Sequence, residues 1–220
     1  MPRYWPRPAH RPLLCGHRGN PEKYEDNVLD SFSSAWSLGM DAVETDVRVT
    51  SDGELFCQHD RYATGHENIN LISSAERRAH GFASLDSLIE LREREYPDAG
   101  VVLDVKTVAT AERLLSEYTP SPELLLISFS DYVIRLALAE GWPTALLNTY
   151  PDPFIIQDFL PEGCYLGANF YQADLLSDDE LSRSFVGGVD DEEQAIHLAE
   201  RGTWCLNSNR PAMLAELFGV

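Results

Sequence analysis

Short apolar runs alternate with stretches of helical periodicity along nearly the whole chain. The runs cover 13–16, 42–47, 101–105, 124–128, 144–148, 164–168, 184–189 and 203–207, each short enough for one buried strand. Between them, apolar positions recur at helical spacing over 25–38, 84–95, 110–118, 130–141, 152–160, 177–183, 191–201 and 211–218. Ser130-Asp131, Ser177-Asp178-Asp179 and Asp190-Asp191 place capping side chains at three of the predicted helix starts. Eight strands alternating with eight helices predict an α/β protein, a (β/α)8 TIM barrel. An open doubly wound sheet is the other arrangement, and it does not need eight repeats.

One segment breaks the alternation. Between Arg48 and His59, Asp52-Gly53 sits among alternating apolar residues, a strong hairpin signal. Taken as a two-residue turn, it sets Ser51 opposite Glu54 and Asp46 opposite His59. Strand two then runs past the barrel rim as a β-hairpin extension and returns His59 beside Asp46. Residues 60–83 lack periodicity and are expected as a short lid loop over the mouth. Residues 1–12, with three Arg and four Pro, read as an N-terminal arm, and 13–220 as the barrel domain.

Composition narrows the function classes. Of 220 residues, 36 are acidic and 17 basic, a net charge of −19 that disfavours binding to a nucleic-acid backbone or an anionic membrane. No window has the roughly 18 uninterrupted apolar residues of a membrane span, so stable membrane insertion is not expected. The first residues carry no apolar run of signal-peptide type. Cys15, Cys57, Cys164 and Cys205 fall singly within apolar runs, with no Cys-x-x-Cys pair; free buried thiols and a reducing, cytoplasmic location are expected. Only two lysines, Lys23 and Lys106, stand among the 17 bases.

Residues two apart in a strand share a face. Glu44 and Asp46 therefore point one way while Val43, Thr45 and Val47 point the other. Asp104 and Lys106 repeat the pattern against Leu103 and Val105. Outward Val and Leu suit packing under helices, which turns the charged set toward the barrel axis. Three converging carboxylates repel unless a cation or proton joins them, and all-oxygen ligation suits a hard divalent ion, Mg²⁺ or Ca²⁺. The plainer alternative is a set of rim charges paired with Lys106 and arginines. His17 ends the first strand, at the barrel face where active sites form. With His59, it makes an acid/base pair flanking the carboxylates, suited to hydrolysis of a phosphate ester.

The motifs in this order resemble the glycerophosphodiester phosphodiesterase family. His17-Arg18-Gly19 is similar to its His-Arg-Gly, and Glu25-Asp26-Asn27-Val28 in part to its Pro-Glu-Asn-Thr. Gly39 through Asp41 and Glu44 to Asp46-Val47 matches Gly-x-Asp-x-x-Glu-x-Asp-Val. Thr50-Ser51-Asp52-Gly53 and His59-Asp60 match Thr-x-Asp-Gly and His-Asp, and Ser208-Asn209-Arg210-Pro211 stands where the family has Thr-Asp-x-Pro. The resemblance implies a TIM-barrel, metal-dependent enzyme releasing sn-glycerol 3-phosphate and an alcohol from small glycerophosphodiesters. It implies His17 and His59 as catalytic histidines, Glu44 and Asp46 as metal ligands, and Arg18 as a phosphate contact.

Several departures accompany the likeness. The family's third ligand is usually Glu in Glu-x-Lys, whereas here Asp104 precedes Lys106, as in related sphingomyelinase D-type phospholipases. Asp26 replaces a Glu, the lid segment is short, and Val186-Gly187-Gly188-Val189 replaces a Trp-containing motif. The reading is one divalent cation on Glu44, Asp46 and Asp104, catalysis by His17 as base and His59 as acid with Lys106, and substrate contacts from Arg18 and Phe129. Two alternatives remain: a lysophospholipase D or sphingomyelinase D-like enzyme acting on lipids, entered past Phe129, Tyr150, Phe154, Phe170 and Tyr171, or a catalytically silent barrel that binds a phosphorylated ligand.

Overall fold

The computed structural model describes residues 7–60, 68–148 and 160–220. Eight parallel strands close into a barrel: β1 (Leu13–His17), β2 (Ala42–Val49), β4 (Gly100–Val105), β5 (Leu124–Ser128), β6 (Thr144–Leu147), β7 (Tyr165–Asn169), β8 (Ser184–Gly187) and β9 (Cys205–Ser208). Closure comes from β1, which pairs with both β2 and β9. Around the barrel lie α1 (Leu29–Ser37), α2 (Ser74–Ala79), α3 (Leu85–Glu95), α4 (Val108–Glu117), α5 (Asp131–Ala139), α6 (Phe170–Ala173), α7 (Asp178–Leu181), α8 (Glu192–Glu200) and α9 (Pro211–Phe218). Ser130, Ser177 and Asp191 cap α5, α7 and α8 through their side chains. The helix expected over 152–160 lies almost wholly outside the described residues.

Alternation along the strands builds two separate apolar layers. Leu14, Val43, Val47, Leu103, Val105 and Leu126 face outward and join the helices in one cluster. Leu13, Cys15, Ala42, Val102, Leu125, Ile127, Ala145, Phe185 and Cys205 face inward and fill the barrel from its N-terminal end. Tyr165 and Trp204 stack there with centroids 4.1 Å apart. Continuing up the same inward faces, the next residues are Glu44 and Asp46 on β2, Asp104 on β4, Gly167 on β7, Gly187 on β8 and Asn207 on β9. The barrel is therefore apolar below and polar at its C-terminal mouth. All four cysteines are free and buried.

The hairpin forms with a different register. Strand β3 (Leu55–Cys57) pairs antiparallel with β2, setting Val47 against Cys57, Arg48 against Phe56 and Val49 against Leu55. Ser51-Asp52-Gly53 is thus a three-residue loop, and Asp46 opposes Gln58, whose N–H donates to the Asp46 carbonyl at 2.8 Å. The loop closes with Gly53 at φ 88°, a left-handed position that ends three-residue hairpin turns. The Asp52 carboxylate bends back to accept from Thr50 Oγ1 at 2.7 Å and from Ser74 Oγ at 2.8 Å at the start of α2. A one-residue slip moves a side chain to the other face of a strand. His59 is therefore not the cross-strand partner of Asp46; it follows the end of β3.

Two further expectations change. Helix α1 begins at Leu29 rather than at 25, because Asn27 takes φ 60° and turns its amide toward β2. The 60–83 stretch is not an unstructured loop throughout: Ile69–Leu71 form a 3₁₀ turn and Ser74–Ala79 form α2, capped reciprocally by Ser73 and Glu76. Residues 61–67 of the expected lid lie outside the described residues. In the arm, Arg7 donates to the Gly202 carbonyl at 2.5 Å and Arg11 forks onto Asp41 at 2.5 and 3.0 Å.

Candidate active site

His17, Arg18, Glu44, Asp46, His59, Asp104, Lys106 and Phe129 all line one cavity of about 260 Å³ at the C-terminal mouth. The turn after β1 supplies the first two. Gly19 has φ 92°, and a Cβ there would lie 2.5 Å from Ser31 Oγ on α1. The turn is thereby seated on α1, with Ser31 Oγ donating to the Arg18 carbonyl at 3.0 Å. Arg18 itself sits at φ 55°, a conformation that side-chain-bearing residues hold at a cost and that clusters at functional sites. Its backbone N–H donates to Glu44 Oε2 at 3.1 Å, and its guanidinium pairs with Asp46 at 3.1 Å and Asp26 at 2.9 Å.

Register places the carboxylates. Asp46 and Asp104 are Cα partners across β2 and β4, and Glu44 is one turn of the pleat below Asp46. Glu44, Asp46 and Asp104 are 2%, 1% and 5% exposed, and one oxygen from each lies within 4.8 Å of the others. Such burial penalises charge unless a cation offsets it. Lys106 does so in part: its Nζ lies 2.7 Å from Asp46 Oδ1 and also pairs with Asp104. Burial, then the neighbouring Asp46 and Asp104, raises the Glu44 carboxyl well above its ordinary range. Burial also raises Asp104, against the pull of Lys106. Asp46 goes the other way, because Lys106, Arg18 and Asn27 outweigh its burial. Burial would depress the Lys106 ammonium, but Asp104 and Asp46 raise it.

The residues fit a hard cation. Three buried carboxylates offer only oxygen donors, and Asp104 Oδ1 is buried with no hydrogen-bond partner. That unpaired oxygen is the kind of atom a Mg²⁺ or Ca²⁺ ion completes.

The two histidines stand differently. His17 is half-buried, with Nε2 3.7 Å from Glu44 Oε2 and Nδ1 2.6 Å from Asn209 Oδ1. Burial lowers its affinity for a second proton, although the Asn209 contact opposes this. His59 is more open, its side chain 47% exposed and its Nδ1 2.9 Å from Asp60. Arg48 grips its carbonyl at 2.9 and 2.6 Å, while Arg77 pairs with Gln58 just before it. The hairpin therefore still delivers His59 to the cavity, by a bend after β3 rather than by cross-strand opposition.

Several contributors carry no assignment from the sequence. Asn27 donates to Asp46 Oδ2 at 3.0 Å and accepts from Thr45 Oγ1 at 2.8 Å; its motif was visible, its role was not. Asn148, Asn169 and Asn207 line the cavity opposite the acids with Gly167 and Gly187. Inward parity at a strand's C-terminal end was the available signal for Asn207. Phe129 is 54% and Tyr171 73% exposed, with Phe170 packed on Tyr171 at a 3.7 Å centroid distance; Tyr150 and Phe154 lie outside the described residues.

Comparison with known proteins gives a consistent set of likenesses. Residues 17–124 match the model of the glycerophosphoryl diester phosphodiesterase family. A glycerophosphodiester phosphodiesterase of Caldanaerobacter subterraneus subsp. tengcongensis is 25% identical over 86% of this chain and 98% of its own length. Among solved structures, a glycerophosphodiester phosphodiesterase of Thermotoga maritima superposes with TM-score 0.80 at 21% identity, covering 96% of this chain and 100% of that one. An Oleispira antarctica phosphodiesterase, solved with the product sn-glycerol-3-phosphate, gives TM-score 0.77 at 20% identity over 96% and 98%. Among the described residues no helix is long and apolar enough to cross a membrane.

Proposed function

Because the chain belongs to the glycerophosphoryl diester phosphodiesterase family, we propose that it hydrolyses small glycerophosphodiesters to sn-glycerol 3-phosphate and an alcohol. The observation that carries this reading is one cavity holding three buried carboxylates between two histidines, with Arg18 and Lys106 beside them. The product complex of the Oleispira antarctica relative supports the choice of product.

Glu44, Asp46 and Asp104 would hold one divalent cation, Mg²⁺ or Ca²⁺, which when bound supplies Lewis-acid stabilisation to a phosphate oxygen. Arg18 and Lys106 are fixed cations that offset charge growing on the phosphorus oxygens, and they act strongly because both side chains are largely buried. His17 Nε2 takes the proton of the nucleophile, either water, which gives sn-glycerol 3-phosphate directly, or the substrate's own 2-hydroxyl, which gives a cyclic phosphate that water then opens to the same monoester. His59 returns a proton to the departing alkoxide, and its greater exposure suits a group that meets the leaving alcohol at the mouth. Phe129 flanks that alcohol. Free buried cysteines support a reducing, cytoplasmic setting.

Purified protein is assayed on glycerophosphocholine, glycerophosphoethanolamine and lysophosphatidylcholine, with Mg²⁺, with Ca²⁺ and with chelator. Metal-dependent release of glycerol 3-phosphate, lost in His17→Ala by about 10²–10⁴-fold, is expected. Release of lysophosphatidate instead would assign a lipid substrate. Inertness of the parent on all three would mark a silent barrel.

A further inference from the structure

His17 is the end of a hydrogen-bonded chain that crosses three neighbouring staves of the barrel. Asp190 follows β8, Asn209 follows β9, and His17 ends β1. The Asn209 Nδ2 group donates to Asp190 Oδ2 at 2.7 Å. Asp190 Oδ1 in turn accepts from Ser208 Oγ at 2.9 Å and from the Asn209 backbone N–H at 2.7 Å, so the carboxylate is held by three donors. Only the NH₂ of an amide can donate to a carboxylate. The Asn209 amide is therefore oriented by Asp190, and its oxygen is the atom that faces His17 Nδ1 at 2.6 Å.

We propose that Asp190 and Asn209 are positioning residues that fix the tautomer of His17, so that Nδ1 carries the proton and Nε2 keeps its lone pair for the nucleophile. An amide oxygen accepts and cannot donate, so a neutral His17 bound to it must be protonated on Nδ1. The other ring nitrogen then points into the cavity as an acceptor. It lies 3.7 Å from Glu44 Oε2, too far for a hydrogen bond that would demand a proton there. The partner of one ring nitrogen decides the work of the other. This deepens the hydrolase reading and rests on it for the part His17 plays as proton acceptor.

The arrangement also explains why a neutral amide can stand at 209. Its orientation is imposed by the charge behind it, not by the imidazole. Asp190→Asn removes that constraint at constant shape. The amide introduced at 190 can still accept from Ser208 and the 209 backbone, but its own NH₂ now needs an acceptor. Asn209 can supply one only by rotating its amide, which turns its NH₂ toward His17 and moves the ring proton to Nε2. Exchanging the pair, Asp190→Asn with Asn209→Asp, reverses the bond between 190 and 209, with the donor now at 190, and restores an acceptor against Nδ1.

The test reads the tautomer and the kinetics separately. Long-range ¹H–¹⁵N spectra of the metal-free chain at mildly alkaline pH, with His17 signals identified by their loss in His17→Ala, should show Nδ1 protonated in the parent. In Asp190→Asn the proton should move to Nε2, and kcat on glycerophosphocholine with Mg²⁺ should fall about 10–100-fold with KM little changed. The exchanged double variant should recover both. A parent His17 protonated on Nε2 overturns the proposal. So does an Asp190→Asn protein that keeps the parent's tautomer, whether kcat falls or not. A parent with no turnover on any glycerophosphodiester refutes the hydrolase reading instead, while the spectra still decide the tautomer.

Discussion

Asn27 donates its side-chain amide to Asp46 Oδ2 at 3.0 Å from a backbone held at φ 60°. The same residue ties the Asp46 strand to the turn after β1, since its Oδ1 accepts from Thr45 Oγ1 at 2.8 Å and its backbone N–H donates to the Arg18 carbonyl at 3.2 Å. Asn tolerates left-handed backbone better than most residues, which suits it to this place. Asn27→Ala should cost about 2 kcal/mol or more, combining backbone strain with buried groups left unpaired. Asn27→Gly relieves the backbone and keeps only the second loss. Urea melts of the two variants separate the contributions, and both should turn over about 10–100-fold more slowly.

Lys106 is the counter-charge of the acidic cluster, touching both Asp46 and Asp104. Its side chain is only 13% exposed, so removing it strands buried carboxylates. Lys106→Met should destabilise the metal-free chain by about 3–5 kcal/mol. Saturating Mg²⁺ or Ca²⁺ should recover part of that loss and should also raise the melting point of the parent, by mass action on the folded state. Glu44→Gln keeps the shape but removes an anionic ligand, so its melting point should no longer respond to either ion. A parent whose melting is indifferent to both ions would remove the cation from the mechanism.

Asp52 predicts an acid limb in the stability curve. Hydrogen bonds from Thr50 and Ser74 hold its carboxyl down at about 2, against an ordinary 3.8. A carboxyl depressed by folding stabilises in full above its unfolded value and loses that contribution as pH falls toward its folded one. Asp52→Asn should therefore be less stable than the parent at neutral pH. The gap should close between about pH 4 and about pH 2 as the parent's Asp52 takes up its proton. Denaturant melts of the two proteins across that range measure it.

Gly187 tests whether the cavity is the substrate site. It lines the mouth from β8, and a Cβ there would meet only the Ala168 carbonyl, at 4.0 Å. Gly187→Leu fits the strand backbone yet fills part of the 260 Å³ space. Its melting point should stay near that of the parent while KM for glycerophosphocholine rises at least about tenfold, roughly 1.4 kcal/mol of lost binding. An unchanged KM would place the substrate elsewhere.

The barrel was legible because strand parity and helix periodicity are local properties of the sequence, and 42–47 and 101–105 show both faces plainly. The two-faced reading also located Glu44, Asp46, Asp104 and Lys106 on the inward side. The hairpin register was not legible. Asp52-Gly53 fits a two-residue turn as well as a three-residue one, and the choice rests on the bond from Asp52 to Ser74, 22 positions away. Helix α2 escaped notice because it is short and its start is set by the Ser73–Glu76 capping box rather than by periodicity. Asn27 and Asn209 stood within recognised motifs, but a side-chain amide announces nothing about what it will face. Their roles depend on which strand ends become neighbours when the sheet closes.

The packed lower half of the barrel has a bearing on traffic. Tyr165 stacked on Trp204, with Phe185 and Leu13 beside them, stoppers the vessel at its base. Among the described residues the barrel opens at its C-terminal mouth, so diester and water arrive there and alcohol and phosphomonoester depart there. Whichever fragment lies deeper waits for the shallower one to clear, so turnover in this enzyme imposes an order of exit that a through-channel would not.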